Sequence, residues 1–190
     1  MSEKTDYGKY IAVTDRKLCN IPFTEQIKRV AVLHPKALIL REKDLEDEAY
    51  LELAGNVKDI CDEAGVDFFV HSRLELAHEI DCKNIHIPMQ GLCENPGIIK
   101  QFENISVSCH SVKEAVLAQV LGATRIILGT IYETECKPGL KGAGPDLVRE
   151  VTSSVDIPVY AIGGIKPDNI DEVISAGAAG GCMMSGFMKL

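Results

Sequence analysis

The sequence predicts an α/β fold in which eight parallel strands alternate with helices and close into a (β/α)8 barrel, one domain over residues 1–190. Three observations carry this expectation. Eight short apolar runs recur along the chain, the stretches between them place apolar residues at helical spacing, and the runs are apolar on both faces. Strands without a polar face belong in a parallel sheet covered by helices, and crossovers of this length supply the cover. An open doubly wound sheet shows the same alternation; the count of eight favours closure into a TIM barrel.

In order, the strand runs are Tyr10 to Val13, Ala37 to Leu40, Asp67 to Val70, Ile85 to Ile87, Ile105 to Val107, Ile126 to Leu128, Val159 to Ile162 and Cys182 to Met184. After the second, LEDEAYLELAGNVKDICDEAG carries apolar residues at 50, 51, 53, 54, 57, 60, 61 and 64, the stripe of an amphipathic helix. After the fifth, SVKEAVLAQVLG opens on Ser111 with Glu114 three residues later, the pattern of a capping box. In PVYAIGGIKPDNIDEV two glycines stop the seventh run. Pro167, Asp168 and Asn169 then supply proline and capping chemistry, and Ile170, Val173 and Ile174 share one helical face. Behind the eighth run only GFMKL remains, too short for a full closing helix, so either a neighbouring subunit covers that gap or it stays partly open.

Composition narrows the setting. With 46% of the residues hydrophobic and 25% charged, the chain can bury one sizeable core and does not demand two domains. The net charge of −8, with no basic cluster interleaved with aromatics, argues against nucleic acid. No apolar run approaches the ~20 residues of a membrane-spanning helix. The cysteines at 19, 61, 82, 93, 109, 136 and 182 are odd in number and lack paired CxxC spacing, and MSEKTDYGKY has no apolar signal segment; a reduced, cytoplasmic setting is expected.

Barrels place their chemistry at the C-terminal ends of the strands. Those ends carry Thr14, Asp15 and Arg16; Arg41, Glu42 and Lys43; His71, Ser72 and Arg73; Met89 and Gln90; Ser108 and His110; Thr130, Thr134 and Lys137; Gly163 and Gly164; and Ser185 and Gly186. Glycines closing the seventh and eighth strands build a backbone cradle for a phosphate, with Ser185 as a donor. Arg41, Lys43 and Lys137 can meet further phosphate charge. A small phosphorylated ligand follows. Each residue also has an ordinary structural reading: a tight turn for Gly163 and Gly164, pairing with the acidic DLEDE segment for Arg41 and Lys43, a solvated loop for Lys137. The coincidence of glycines at both strand ends tips the balance. Among the histidines, His34 and His78 read as surface or helix residues and His86 lies inside a strand, which leaves His71 and His110 within reach of a ligand. Most cysteines read as small core residues, Cys136 beside Lys137 being the exception.

The segments YIAVTDRKLC, ALILREK, VSCHSVKEA, LGTIYETECKPG, AIGGIKPDNIDEVISAGAAG and MMSG occur in order between residues 10 and 187, and together they resemble the thiamine phosphate synthase family, whose relatives include thiazole tautomerases. The resemblance implies a (β/α)8 barrel of thiamine biosynthesis. A synthase joins a pyrimidine diphosphate to a thiazole phosphate with release of diphosphate and the help of magnesium; a tautomerase isomerises a carboxylated thiazole phosphate.

Position by position, Arg41 and Lys43 match the family's LREK diphosphate ligands, Ser108 its serine before the fifth helix, and Lys137 its lysine after the sixth strand. Thr134, Gly163, Gly164, Met184 and Ser185 match the segments that hold the thiazole phosphate. The pyrimidine side departs from the pattern. Ile39 stands where a synthase has glutamine, His71 and Ser72 where it has Asn-Asp, and Gly91 where its second magnesium aspartate is expected. Magnesium needs hard oxygen ligands, so only Glu42 or Asp15 remain as substitutes. The resemblance therefore favours a tautomerase-like enzyme with no required cofactor over a magnesium-dependent synthase, with a non-catalytic phosphate-ligand binder and a phosphosugar isomerase as further alternatives. The acid/base histidine of some tautomerases is Thr130 here, which makes His71 the candidate for proton transfer and Cys136 the runner-up.

Overall fold

The computed structural model describes residues 5–134, 139 and 141–190. All eight apolar runs are strands: β1 (Tyr10–Val13), β2 (Ala37–Leu40), β3 (Asp67–His71), β4 (Asn84–Pro88), β5 (Asn104–Cys109), β6 (Arg125–Gly129), β7 (Val159–Ile162) and β8 (Gly180–Met183). Each pairs in parallel with the next, and β8 pairs with β1, so the sheet is a closed barrel. β4, β5 and β6 start one residue earlier than the apolar runs, at Asn84, Asn104 and Arg125. β8 ends at Met183, which puts Met184 just beyond the strand.

Alternation sorts the strand residues into two layers. Ile11, Val13, Ala37, Ile39, Phe69, Ile127, Tyr160 and Cys182 fill the barrel interior, with Ile162 and Met184 against them. Their neighbours, among them Ala12, Leu38, Leu40, Phe68, Val70, Ile126 and Leu128, pack outward against the helices. Both layers are buried, which is why most of the strands read as apolar runs.

The helices are α1 (Phe23–Val32), α2 (Asp47–Ala64), α3 (Leu74–Glu79), α4 (Met89–Glu94), α5 (Val112–Val120), α6 (Gly144–Thr152), α7 (Ile170–Ser175) and α8 (Ser185–Met188). In α2 the stripe Tyr50, Ala54, Val57 and Cys61 is buried, and Gly65 ends the helix at a φ of 67°, a left-handed turn that favours glycine. Ser111 caps α5 by accepting from the Glu114 N–H at 3.2 Å. The Glu114 carboxylate closes the motif on the N–H of His110, one residue earlier than a capping box has it. Asn169 does not cap α7. Its amide instead accepts from the Lys166 N–H at 2.8 Å and donates to the Gly164 carbonyl at 2.9 Å, which folds the loop ahead of the helix.

The last helix is short, as expected, and this chain fills the space behind it. Phe187 and Met188 are fully buried, and the Phe187 ring lies 5.7 Å from Tyr7 and 6.4 Å from Tyr10. From α1, the Gln26 amide donates to the Phe187 carbonyl at 2.6 Å. Chain segments from both ends of the barrel thus pack over the seam between β1 and β8. Among the described residues no helix is long and apolar enough to cross a membrane.

Candidate active site

The barrel interior has an apolar and a polar side. On the β3–β6 side, Arg125 lies 4.5 Å over the Phe69 ring and 3.8 Å from Asp67, with one guanidinium nitrogen buried and unpartnered. Asn104 donates to Asn84 at 2.8 Å in the same layer. One layer nearer the mouth, the His86 ring is held between the Ser106 and Ser108 hydroxyls, each at 2.9 Å. The His71 ring lies 5.5 Å from that of His86. Burial, helped by the nearby positive charges of Arg41 and Lys43, pushes the His71 pKa down to about 4, and burial pushes that of His86 to about 3. Both imidazoles are neutral at pH 7.

At the ends of β1 and β2, Glu42 is buried and committed. It accepts from the Thr14 hydroxyl at 2.7 Å, the Arg16 N–H at 3.0 Å and the Arg16 guanidinium at 3.0 Å. Arg16 also bonds Asp44 through both terminal nitrogens, which holds the Asp44 carboxyl well below the usual range. Thr14 in turn accepts from the Arg41 N–H at 2.9 Å. Among the described residues the Arg41 side chain forms no ion pair with Asp or Glu, contrary to pairing with the acidic segment. Lys43, beside it, is exposed. Tyr50 fastens the β2 and β3 ends, donating to the Leu40 carbonyl at 2.8 Å and accepting from the His71 N–H at 3.3 Å. Arg73 is tied away from the mouth, stacked 4.5 Å over Tyr50 and bonded to Asp47 and the Leu45 carbonyl.

Across the barrel, the loops after β6 and β7 interlock. Gly163 and Gly164 have φ of 99° and 64°, and a Cβ on either would meet Thr130 at 2.5 Å or the Glu133 carbonyl at 2.7 Å. Glycine is thus a packing requirement here with or without a ligand, so a substitution such as Gly164→Asp disturbs the loop before it meets any anion. The peptide N–H groups of Gly163, Gly164, Ser185 and Gly186 donate to no described residue, which leaves a row of donors at the β7 and β8 ends. Thr130, Thr134 and Met184 are half-buried around them and Ser185 is exposed. Cys136 and Lys137 lie outside the described residues.

The donor set does not fit a magnesium ion. Ser72, at a φ of 60°, and Gly91, inside α4, bring no carboxylate; Glu42 is saturated by Arg16 and Thr14; Asp15 accepts from the Lys17 N–H at 3.1 Å to cap its own turn. Among the described residues no group of three His, Cys, Asp or Glu side chains could hold a metal. What the mouth offers an anionic ligand is the Arg41 and Lys43 cations on one side and peptide N–H groups on the other.

The sequence reading passed over His86 as a strand residue and Ser106 altogether. Their signal was present: polar residues at every second position, Asn84 and His86 in NIHIP and Asn104, Ser106 and Ser108 in NISVSC, put these side chains on one face of the sheet.

Comparison with known proteins agrees with this architecture. The family model described as "Thiamine monophosphate synthase" matches residues 10–187. A "Thiamine-phosphate synthase" from Coprothermobacter proteolyticus is 31% identical over 189 residues, covering 95% of this chain and 87% of that protein. A "Putative thiamine-phosphate synthase 2" from Aquifex aeolicus is 30% identical, covering 94% of this chain and 96% of that one. The solved thiamine phosphate pyrophosphorylase from Pyrococcus furiosus superposes with a TM-score of 0.82 at 26% identity, covering 97% of this chain and 89% of its own. A matched run from the first strand of the barrel to the last, with the mouth segments in their expected order, identifies the chain as a member of the thiamine monophosphate synthase family.

Proposed function

We propose that the chain is a thiamine phosphate synthase, which binds a thiazole phosphate and a pyrimidine diphosphate together at the barrel mouth and joins them. One observation carries this reading over the tautomerase expected from the sequence. The mouth has two separate anion-binding edges, Arg41 and Lys43 after β2 and, two and three strands away around the ring, the N–H groups after β8 and β7 that have no described acceptor. Two phosphorylated substrates need two such edges, whereas an isomerase of one phosphate ester needs one. The synthase names of the relatives point the same way.

In this reading the N–H row holds the thiazole phosphate, and Arg41 and Lys43 hold the diphosphate. The thiazole ring nitrogen gives its electron pair to the pyrimidine methylene carbon. The carbon–oxygen bond breaks, its pair leaving with diphosphate, and the two cations neutralise the charge that develops there. The test is to incubate the purified protein with both substrates, with and without Mg²⁺, and to follow thiamine phosphate. Absence of product in both conditions would sink the synthase reading.

A second reading, a tautomerase-like isomerase, is favoured by His71, a neutral imidazole at the mouth able to accept a proton. Its test follows isomerisation of the carboxylated thiazole phosphate in wild type, His71→Asn and Cys136→Ser. A protein that binds thiazole phosphate and performs neither reaction is a binding module.

A further inference from the structure

Ser106 is wholly buried, and its hydroxyl must donate somewhere. Its ladder partner Arg125 carries only donors. Among the described residues, the one side-chain acceptor in contact with it is Nδ1 of His86, at 2.9 Å. A neutral imidazole carries its proton on one nitrogen only. If Ser106 donates to Nδ1, the proton sits on Nε2 and is donated in turn to Ser108, 2.9 Å away. Ser108, half-buried at the mouth end of β5, then has its own O–H directed outward. The opposite tautomer would aim an N–H at Ser106 and strand the Ser106 proton in a site closed to water.

We infer that Ser106 fixes His86 as the Nε2–H tautomer and thereby presents Ser108 to the ligand as a hydrogen-bond donor, not as a hydroxyl activated by a base. Ser106 and His86 are positioning residues; Ser108 is the group at the mouth. The ligand atom it meets is an acceptor, an unprotonated ring nitrogen or a phosphate oxygen, and not an amino group. That last step rests on the proposed function, which puts the ligand at the mouth. The tautomer does not.

The experiment is ¹⁵N NMR of histidine-labelled protein at pH 7.5, with His86 assigned through the backbone, on wild type and Ser108→Ala. In both, Nε2 should carry the proton and Nδ1 the lone pair, because control comes from the buried side. A protonated Nδ1 in wild type overturns the inference. So does a tautomer that changes in Ser108→Ala, because control would then lie at the mouth. Calorimetry with thiazole phosphate and, separately, with pyrimidine diphosphate reads the donor itself: Ser108→Ala should bind one of them about tenfold more weakly, and undiminished affinity for both overturns that half. If wild type takes up no thiazole phosphate, the proposed function falls, and the imidazole spectrum still decides the tautomer.

Discussion

The Glu42 carboxylate grips Arg16 twice, through the backbone N–H and through the guanidinium, both at 3.0 Å, across 26 residues of sequence. This clamp joins the loop after β1 to the loop after β2, beneath Arg41. Glu42→Ala should lower stability by about 2 kcal/mol in urea unfolding, because it strips three donors of a buried acceptor. The loss stays below that of a fully buried pair because Arg16 keeps Asp44 and is 28% exposed. A change within about 0.5 kcal/mol would show the clamp to be ornamental.

Because Glu42 is committed and Ser72 and Gly91 bring no carboxylate, inorganic diphosphate should bind with affinities that agree within about threefold in EDTA and in excess Mg²⁺. Arg41→Ala should weaken that binding about tenfold or more in either condition, the worth of a charge-assisted hydrogen bond. Calorimetric titration checks both. A hundredfold gain on adding Mg²⁺, roughly 2.7 kcal/mol, would contradict the poor fit of the donor set.

Acid should destabilise the protein through the buried His86 and the half-buried His71. In the folded chain the pKa of His71 is about 4 and that of His86 about 3, against 6.5 for an ordinary histidine. Unfolding therefore takes up protons between pH 6.5 and these values, so the stability they contribute is complete above pH 6.5 and is lost as pH falls towards 4. From pH 6.5 to 5 the loss is about 2 kcal/mol per histidine. Urea midpoints across this range should fall, and His71→Asn should flatten the slope by about half. A flat profile in wild type would mean that both rings are protonated in the folded state.

Thiol chemistry should single out Cys93 among the described cysteines. It is exposed, whereas Cys61, Cys82, Cys109 and Cys182 are buried, and burial pushes the Cys61 and Cys109 thiols up to about 12. Mass spectrometry after brief alkylation at pH 8 should find Cys93 modified and those four intact. Rapid labelling of any of the four would indicate that the segment around it opens on that timescale.

The barrel was legible because parallel strands buried on both faces leave unbroken apolar runs, and eight of them are hard to mistake. That same double burial hid the site. NIHIP puts Asn84 and His86 on one face, but whether that face is aimed inward or at a helix is decided only by the ladder that sets His86 beside Ser106 and Pro88 beside Ser108. Asn84, Asn104 and Arg125 read as loop because they are polar, yet they begin their strands and line the barrel floor, bonded or stacked across the interior. Gly163 and Gly164 were legible as a strand stop. Their collision with Thr130 and Glu133 was not, since it depends on a loop some thirty residues away. The Glu42 clamp escaped for the same reason: Arg16 and Glu42 meet only once β1 and β2 are paired.

The seam between β1 and β8 sets a timetable for synthesis. β1 leaves the ribosome well before its partners Gly181, Cys182 and Met183, from which the six strands β2 to β7 separate it along the chain. Until they emerge, Tyr10, Ile11 and Ala12 lack their β8 neighbours, and the Phe187 that covers Tyr10 has not been made. Until β8 is made the nascent barrel is thus an open sheet with a greasy edge, the form in which a chain pairs with the wrong partner or is held by a chaperone.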